Sequence, residues 1–288
     1  MSGSAIFLRD IDSLAPDAGL WRPAVLMLSA HPDDETIGAG VLLSRTKNVR
    51  VVHATNGSPL DLSDALAAGF ATRQDYACAR RYEAICALHN AGITEDALCS
   101  LGFTDQRTSF QLEELTYRIL ALLRQNAPEI LLTHAYEGGH PDHDSVAFAT
   151  HMAWHLYRVE SASMPPRTQL FEFACYNGRG GRLCTNEFIP FPKAREYALR
   201  LTLSEQLLKR RMFNAFQSQA KTLQSFYPPE IERFRRAPQY CFSLPPHSGK
   251  LFYENFDWGI DGRHWRALAL KAQHKLQRAE EQRGPHDS

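Results

Sequence analysis

Two short stretches of this sequence carry side chains that could do chemistry. His31-Pro32-Asp33-Asp34-Glu35 follows an apolar run ending in Ser29-Ala30, and His140-Pro141-Asp142-His143-Asp144 follows Leu132-Thr133-His134 after a short loop containing glycine. In both, proline suits the first turn of a helix, where its missing N–H costs nothing. The preceding histidine then sits near the N-cap, and the residue three places on, Asp34 or His143, lies on the same side of that turn. A single His-Pro-Asp is common in turns, where its aspartate is often only a cap and a dipole partner. Two such motifs, each behind a predicted strand, point to a metal site.

Two imidazoles and one carboxylate suit zinc, and a catalytic zinc keeps three protein ligands plus a water. Iron(II) accepts a similar set. The spacing assigns His31, Asp34 and His143 as ligands of one ion per chain. Asp33 points about 100° away from its neighbour around the turn. It stays close enough to take a proton from the metal's water, whose pKa zinc lowers from about 15.7 to roughly 7. A general base of this kind is worth on the order of 10²–10⁴-fold. His140 faces the same cavity and, as a cation or a neutral donor, can stabilise an oxyanion or protonate a leaving amine. Asp142 and Asp144 are candidates for orienting the imidazoles from behind. Together these parts serve the hydrolysis of an amide.

The elements that must position them can be read from periodicity. Apolar, β-rich runs lie at 24–29, 50–54, 97–103 and 129–133. Helical periods fall between them, over 72–90 and over 111–125, where Leu112, Leu115, Ile119, Leu122 and Leu123 share a face. Strands alternating with helices predict βαβ units, hence an α/β, Rossmann-like three-layer α/β/α fold with a mostly parallel sheet. Both motifs then converge at the carboxyl ends of the strands, where open α/β sheets bind ligands. Beyond this core, two strands are expected around Phe171 and Phe188, joined by Asn177-Gly178-Arg179-Gly180-Gly181. A polar helix is expected near 203–222, a stretch broken by prolines 228, 229, 238, 245 and 246 comes next, and a charged helix over 263–283 closes the chain. No Pro/Gly/Ser linker divides two cores, so the reading is one domain, with a core at about 23–160 and a C-terminal elaboration at about 161–288.

Of 288 residues, 44% are hydrophobic and 22% charged, and 32 Lys and Arg balance 32 Asp and Glu. The balance gives no support to nucleic acid as a partner. The longest apolar runs fall short of a membrane span. Arg9, Asp10 and Asp12 stand where a signal peptide would be apolar. The six cysteines show no Cys-x-x-Cys pair and read as buried, reduced thiols, and the expected compartment is the cytoplasm.

The stretch Ala30-His31-Pro32-Asp33-Asp34-Glu35, paired with His140-Pro141-Asp142-His143, resembles the LmbE-like or PIG-L deacetylase family. Arg80-Arg81-Tyr82-Glu83, followed by Ala91-Gly92, is similar to that family's Arg-x-x-Glu helix. Tyr136-Glu137-Gly138-Gly139 is similar to a lead-in found in one branch, and Phe256-Asp257-Trp258-Gly259 with Trp265-Arg266 is similar to the tail of some members. The resemblance implies a Rossmann-like fold, one zinc, and removal of acetyl from N-acetylglucosamine-type groups on a small-molecule amino-sugar substrate. It implies the same roles for His31, Asp34, His143, Asp33 and His140. It adds Arg80 and Asp105 as substrate-binding residues, while Asn56 stands where many relatives carry aspartate.

Three other readings compete. The same parts would serve an amidase acting on a larger acyl or thiol conjugate. A two-metal phosphoesterase normally needs a bridging carboxylate and about six ligands. A non-catalytic binding module fits poorly with a base beside an open metal position. Gly38 and Gly40 do not complete a dinucleotide fingerprint, since position 43 is leucine. His151 and His155 are expected on a solvated helix face, and His53 in a structural or lining role. His134 ends a strand near the site, and Phe70, Tyr76, Phe103, Phe110 and Tyr136 are candidates for core packing or for stacking on a sugar. Substrate choice is expected to rest on loops near 57–72, 104–110 and 176–186.

Overall fold

The computed structural model describes residues 23–161, 167–226 and 230–283. The segment read for a leader and prolines 228 and 229 lie outside them. Strands β1 (Val25–Ser29), β2 (Val49–Thr55), β3 (Leu98–Phe103), β4 (Ile130–His134) and β5 (Gln169–Phe173) form a parallel sheet in the order β3-β2-β1-β4-β5. The chain winds one way from β1 to β3 and the other way from β4 to β5. The winding therefore reverses between β1 and β4, which pair directly, Val25 opposite Ile130 and Met27 opposite Leu132. In open α/β sheets a ligand crevice forms outside the carboxyl ends of two such strands, and both motifs begin there.

The helices follow from their stripes. On one face of the sheet α1 (Asp34–Ser44), the short α2 (Ser63–Ala67) and α3 (Arg73–Asn90) enter the sequence in that order. Ile37, Val41, Ala84 and Leu88 from α1 and α3 join Val25, Met27 and Leu132 in one core. On the other face α4 (Leu112–Asn126) packs along α5 (Pro141–Glu160), burying Leu115, Ile119, Leu123, Val146 and Phe148. The fold class predicted from periodicity is the one observed, with strand ends within a residue or so of the expected runs.

The C-terminal half departs more. The strand around Phe171 exists, as β5, but Phe188 lies in irregular chain. The turn at 177–181 instead joins a two-residue pair, β6 (Tyr176–Asn177) and β7 (Cys184–Thr185). The polar helix stops at Asn214 as α6 (Leu203–Asn214), followed by 3-10 turns and α7 (Ala220–Leu223). Two unforeseen strands, β8 (Glu196–Arg200) and β9 (Ile231–Arg236), extend the sheet antiparallel beyond β5 in the order β5-β9-β8. Their charged residues hid them: Glu-Tyr-Ala-Leu-Arg and Ile-Glu-Arg-Phe-Arg-Arg offer little apolar alternation. The closing helix α8 (Gly262–Arg283) packs its buried Trp265, Ala269, Ala272 and Leu276 into the second core.

Two buried charges of this half reach α1. Glu232 accepts the Val41 N–H at 2.8 Å and the Leu42 N–H at 2.9 Å, while Lys209 donates to the Ile37 carbonyl at 2.9 Å and pairs with Glu232. The pair pins the helix that carries Asp34 to β9 and α6. Gly38 belongs to the same packing, because a β-carbon there would run into the Phe173 ring. That is a close-approach glycine, and no phosphate cradle is needed to explain it.

Three local expectations are corrected. The described cysteines are all free, but Cys175 alone among them is buried, with Cys78 and Cys241 exposed. His155 is exposed, whereas the His151 side chain is only 10% exposed and packs on Tyr240 and Phe242, a surface supplied by the unforeseen C-terminal chain. Pro141 does open α5 behind His140 as N-cap, but α1 starts at Asp34, so His31 and Pro32 lie in the turn before it.

Candidate functional site

The turn after β1 is built around two aspartates with different tasks. Asp34, at the first position of α1, reaches back and accepts the His31 N–H at 2.7 Å. Asp33 is the N-cap with φ 128°, a conformation that L residues rarely adopt and that costs about 1–3 kcal/mol. Arg80 from α3 stabilises it. Its Nη2 donates to Pro32 O at 2.8 Å and to Asp33 Oδ2 at 2.9 Å, and its Nη1 donates to Gly57 O at 2.5 Å. Glu35 accepts the Asp33 N–H at 3.1 Å and lies 2.9 Å from His53 Nε2, which gives His53 its structural role.

The second motif is fixed from its own side. His140 caps α5, its Nδ1 accepting the Asp142 N–H at 3.1 Å. Burial, reinforced by the charge of His31, pushes the His140 pKa down to about 3. The ring is therefore neutral near pH 7, and with Nδ1 accepting, its proton sits on Nε2. Asp142 accepts the Gln106 N–H at 2.6 Å, the Thr108 N–H at 3.1 Å and the Thr108 hydroxyl at 2.5 Å, and comes within 3.3 Å of His31 Nε2. Asp144 instead secures the lead-in loop, accepting from Glu137 N at 3.2 Å and Gly138 N at 3.0 Å.

Donor atoms of three residues meet between the motifs. His31 Nδ1 lies 3.2 Å from Asp34 Oδ2, His143 Nε2 lies 3.1 Å from Asp34 Oδ1, and the two ring nitrogens are 3.3 Å apart. Zinc–nitrogen and zinc–oxygen bonds of about 2.0–2.1 Å at tetrahedral angles separate ligands by about 3.3 Å. These contacts have the size of ligand–ligand edges in such a site, with Asp34 presenting one oxygen to each ring. The His140 ring stands beside the other two, with its Nε2–H left to donate to a bound group. Burial, against the pull of Asp34, takes the His143 pKa down to about 3, leaving the neutral ring a metal needs. Burial works against charge on Asp34 too, but His143, His134 and His31 outweigh it and hold the carboxyl well below its usual range. The chemistry and spacing of this donor set fit a divalent metal ion.

Arg80 and Asp105 are also drawn in, but toward the protein. Asp105 lies 3.0 Å from His31 Nε2 and 3.8 Å from Arg80 Nη1. His134, ambiguous in the sequence, accepts the Ala30 N–H at 3.0 Å, stands 3.3 Å from Asp34 Oδ2 and stacks on His143 with ring centroids 3.9 Å apart. Three contacts were missed: Cys175 Sγ at 3.8 Å from Asp34 Oδ1, Tyr176 against His143 and Trp258 against His140. Only Trp258 left a trace in the sequence, in the Phe-Asp-Trp-Gly stretch. Of the candidate stacking aromatics, Tyr76, Phe103 and Tyr136 are buried and Phe110 is at the surface.

Residues 26–154 match the family described as PIG-L: GlcNAc-PI de-N-acetylase. A curated relative from Catenulispora acidiphila, 1D-myo-inositol 2-acetamido-2-deoxy-alpha-D-glucopyranoside deacetylase 2, is 28% identical over 158 residues. The match covers 44% of this chain and 49% of that protein, so the chain spans about half the length of the curated relative. Among solved structures, the A40926 pseudoaglycone deacetylase Dbv21 is similar with a TM-score of 0.58 at 18% identity, over 76% of this chain and 99% of that one. The N,N'-diacetylchitobiose deacetylase from Pyrococcus horikoshii is similar with a TM-score of 0.52 at 18% identity, over 82% and 91%. At these identities the two structures speak to the fold. No described helix is long and apolar enough to cross a membrane.

Proposed function

We propose that the chain removes an acetyl group from an N-acetylated amino sugar or sugar conjugate, using one zinc ion held by His31, Asp34 and His143. The observation that carries this is the convergence of His31 Nδ1, His143 Nε2 and the two Asp34 carboxylate oxygens, in contacts of 3.1–3.3 Å, at the β1/β4 switch point. The family match and the names of the relatives favour an acetylated sugar over the larger acyl conjugates that the same parts could cleave.

Zinc in that position supplies Lewis acidity toward the amide carbonyl and toward water. Asp33 is the base. Burial raises its pKa to about 8 against the pull of Arg80, close to the range where a carboxylate both takes and returns a proton. Arg80 occupies Oδ2, leaving Oδ1 to take a proton from the attacking water and pass it to the amine nitrogen as the C–N bond breaks. His140 donates through Nε2–H to the carbonyl oxygen as negative charge grows on it; a neutral donor does this without surrendering its proton. Asp105 and Asp142 flank His31 Nε2 and orient that ring, with Asp144 holding the loop before His140. The products are acetate and a free amine.

Protein reconstituted with zinc and offered a panel of N-acetylated amino sugars and their conjugates is expected to release acetate from at least one. Failure on every member, with metal bound at one per chain, would contradict the reading. Reconstitution with iron(II) in parallel tests the choice of metal.

A further inference from the structure

A chain of aromatic rings runs out of the site and returns to it. From His31, the ring of His140 is 4.5 Å away, Trp258 is 4.6 Å from His140, and Phe256 stacks on Trp258 at 4.6 Å with planes 11° apart. Phe252 follows at 5.5 Å from Phe256, then Tyr176 at 5.8 Å, His143 at 5.0 Å, and His31 again at 5.2 Å. Seven rings close one circuit. Its inner end is the candidate metal site, and its outer end is Phe256, which is 44% exposed. Tyr176, Phe252 and Trp258 are half-buried along the way.

The circuit is anchored to the site. Phe252 N donates to Gly138 O at 2.9 Å, in the loop that leads to His140. Glu254 ties the segment at both ends, accepting the Leu251 N–H at 2.9 Å and the Gly262 N–H at 2.8 Å. A β-carbon at Gly139 would run into the Tyr176 carbonyl, so the loop and β6 are in backbone contact. His31 also contacts Asp105, which with Arg80 and Asp33 forms a buried polar cluster. The site thus has a polar flank and an aromatic one, and the aromatic flank continues to the surface at Phe256.

We infer that the substrate carries an apolar aglycone, and that Trp258, Phe256 and Phe252 form the surface that receives it. The inference rests on the deacetylase reading and names the substrate class for it. The polar flank suits sugar hydroxyls. A second sugar would meet Phe252 and Phe256 only through its C–H face, with no hydrogen bond from either ring, whereas an apolar group laid on the exposed Phe256 gains from burial over its whole area and from ring–ring contact.

The test compares kcat/KM for acetate release from methyl and phenyl N-acetylglucosaminides, both anomers, and from an N-acetylated disaccharide. The expected result is a phenyl-over-methyl preference of about tenfold, the size of one buried aromatic contact. Phe256→Ala and Trp258→Ala should bring that ratio toward one; because Phe256 is exposed, its variant tests the idea without endangering the fold. A wild-type ratio near one, a ratio that both variants leave intact, or a disaccharide preferred over the phenyl glycoside would overturn the inference while leaving the deacetylase reading standing. No acetate from any of these or from the wider panel, with one metal bound per chain, would end both.

Discussion

Arg80 Nη2 lies 2.9 Å from Asp33 Oδ2, so an arginine on α3 holds a carboxylate 47 residues earlier in the chain. The family resemblance reads Arg80 as a substrate-binding residue. In the structure its two terminal nitrogens are engaged by Pro32 O, Gly57 O and Asp33, and their effect is electrostatic. The arginine pulls the Asp33 pKa down while burial pushes it up to about 8.

A base must be unprotonated to act, so activity should rise with pH through the Asp33 titration. Removing the cation in Arg80→Met takes away the largest influence lowering that pKa, ahead of His31. The acidic limb of the kcat/KM profile should move to higher pH. A limb that stays in place, with KM alone raised, would assign Arg80 to substrate instead.

Without a metal, the site balances its carboxylates with a proton. Burial disfavours charge on His31, but Asp105 and Asp34 outweigh it and raise its pKa well above 6.5. A metal on Nδ1 displaces that proton. Zinc binding to metal-free protein near neutral pH should therefore release at least one proton and tighten as pH rises. Calorimetry in buffers of different ionisation enthalpy measures it, and zero release would contradict the assignment of His31.

The buried pair Lys209–Glu232 ties the C-terminal half to α1. Lys209→Met leaves the Ile37 carbonyl and the Glu232 carboxylate without their cation, and breaking a buried pair this way costs about 3–5 kcal/mol. Urea unfolding should show that loss. A change under about 1 kcal/mol would mean that the pair contributes little, as exposed pairs do.

The convergence of His31, Asp34 and His143 was legible because each motif announces itself locally: a strand, then histidine, proline and aspartate at fixed offsets. The parallel core was legible for the same reason, since β1 and β4 are continuous apolar runs. What escaped depends on distance in sequence. Asp105 touching His31, Trp258 touching His140 and Glu232 inside α1 join residues 74 or more positions apart, and no period or spacing encodes such pairs. β8 and β9 escaped because their charged side chains find partners only after folding, as Arg235 does with Glu172 at 2.8 Å.

The most direct test is zinc content per chain, measured by elemental analysis on wild type, His143→Ala and Asp33→Asn. One zinc in wild type, none in His143→Ala, and one in Asp33→Asn with kcat down on the order of 10²–10⁴-fold is the predicted outcome. Zinc retained by His143→Ala, or lost from Asp33→Asn, would contradict the assignment of ligands and base.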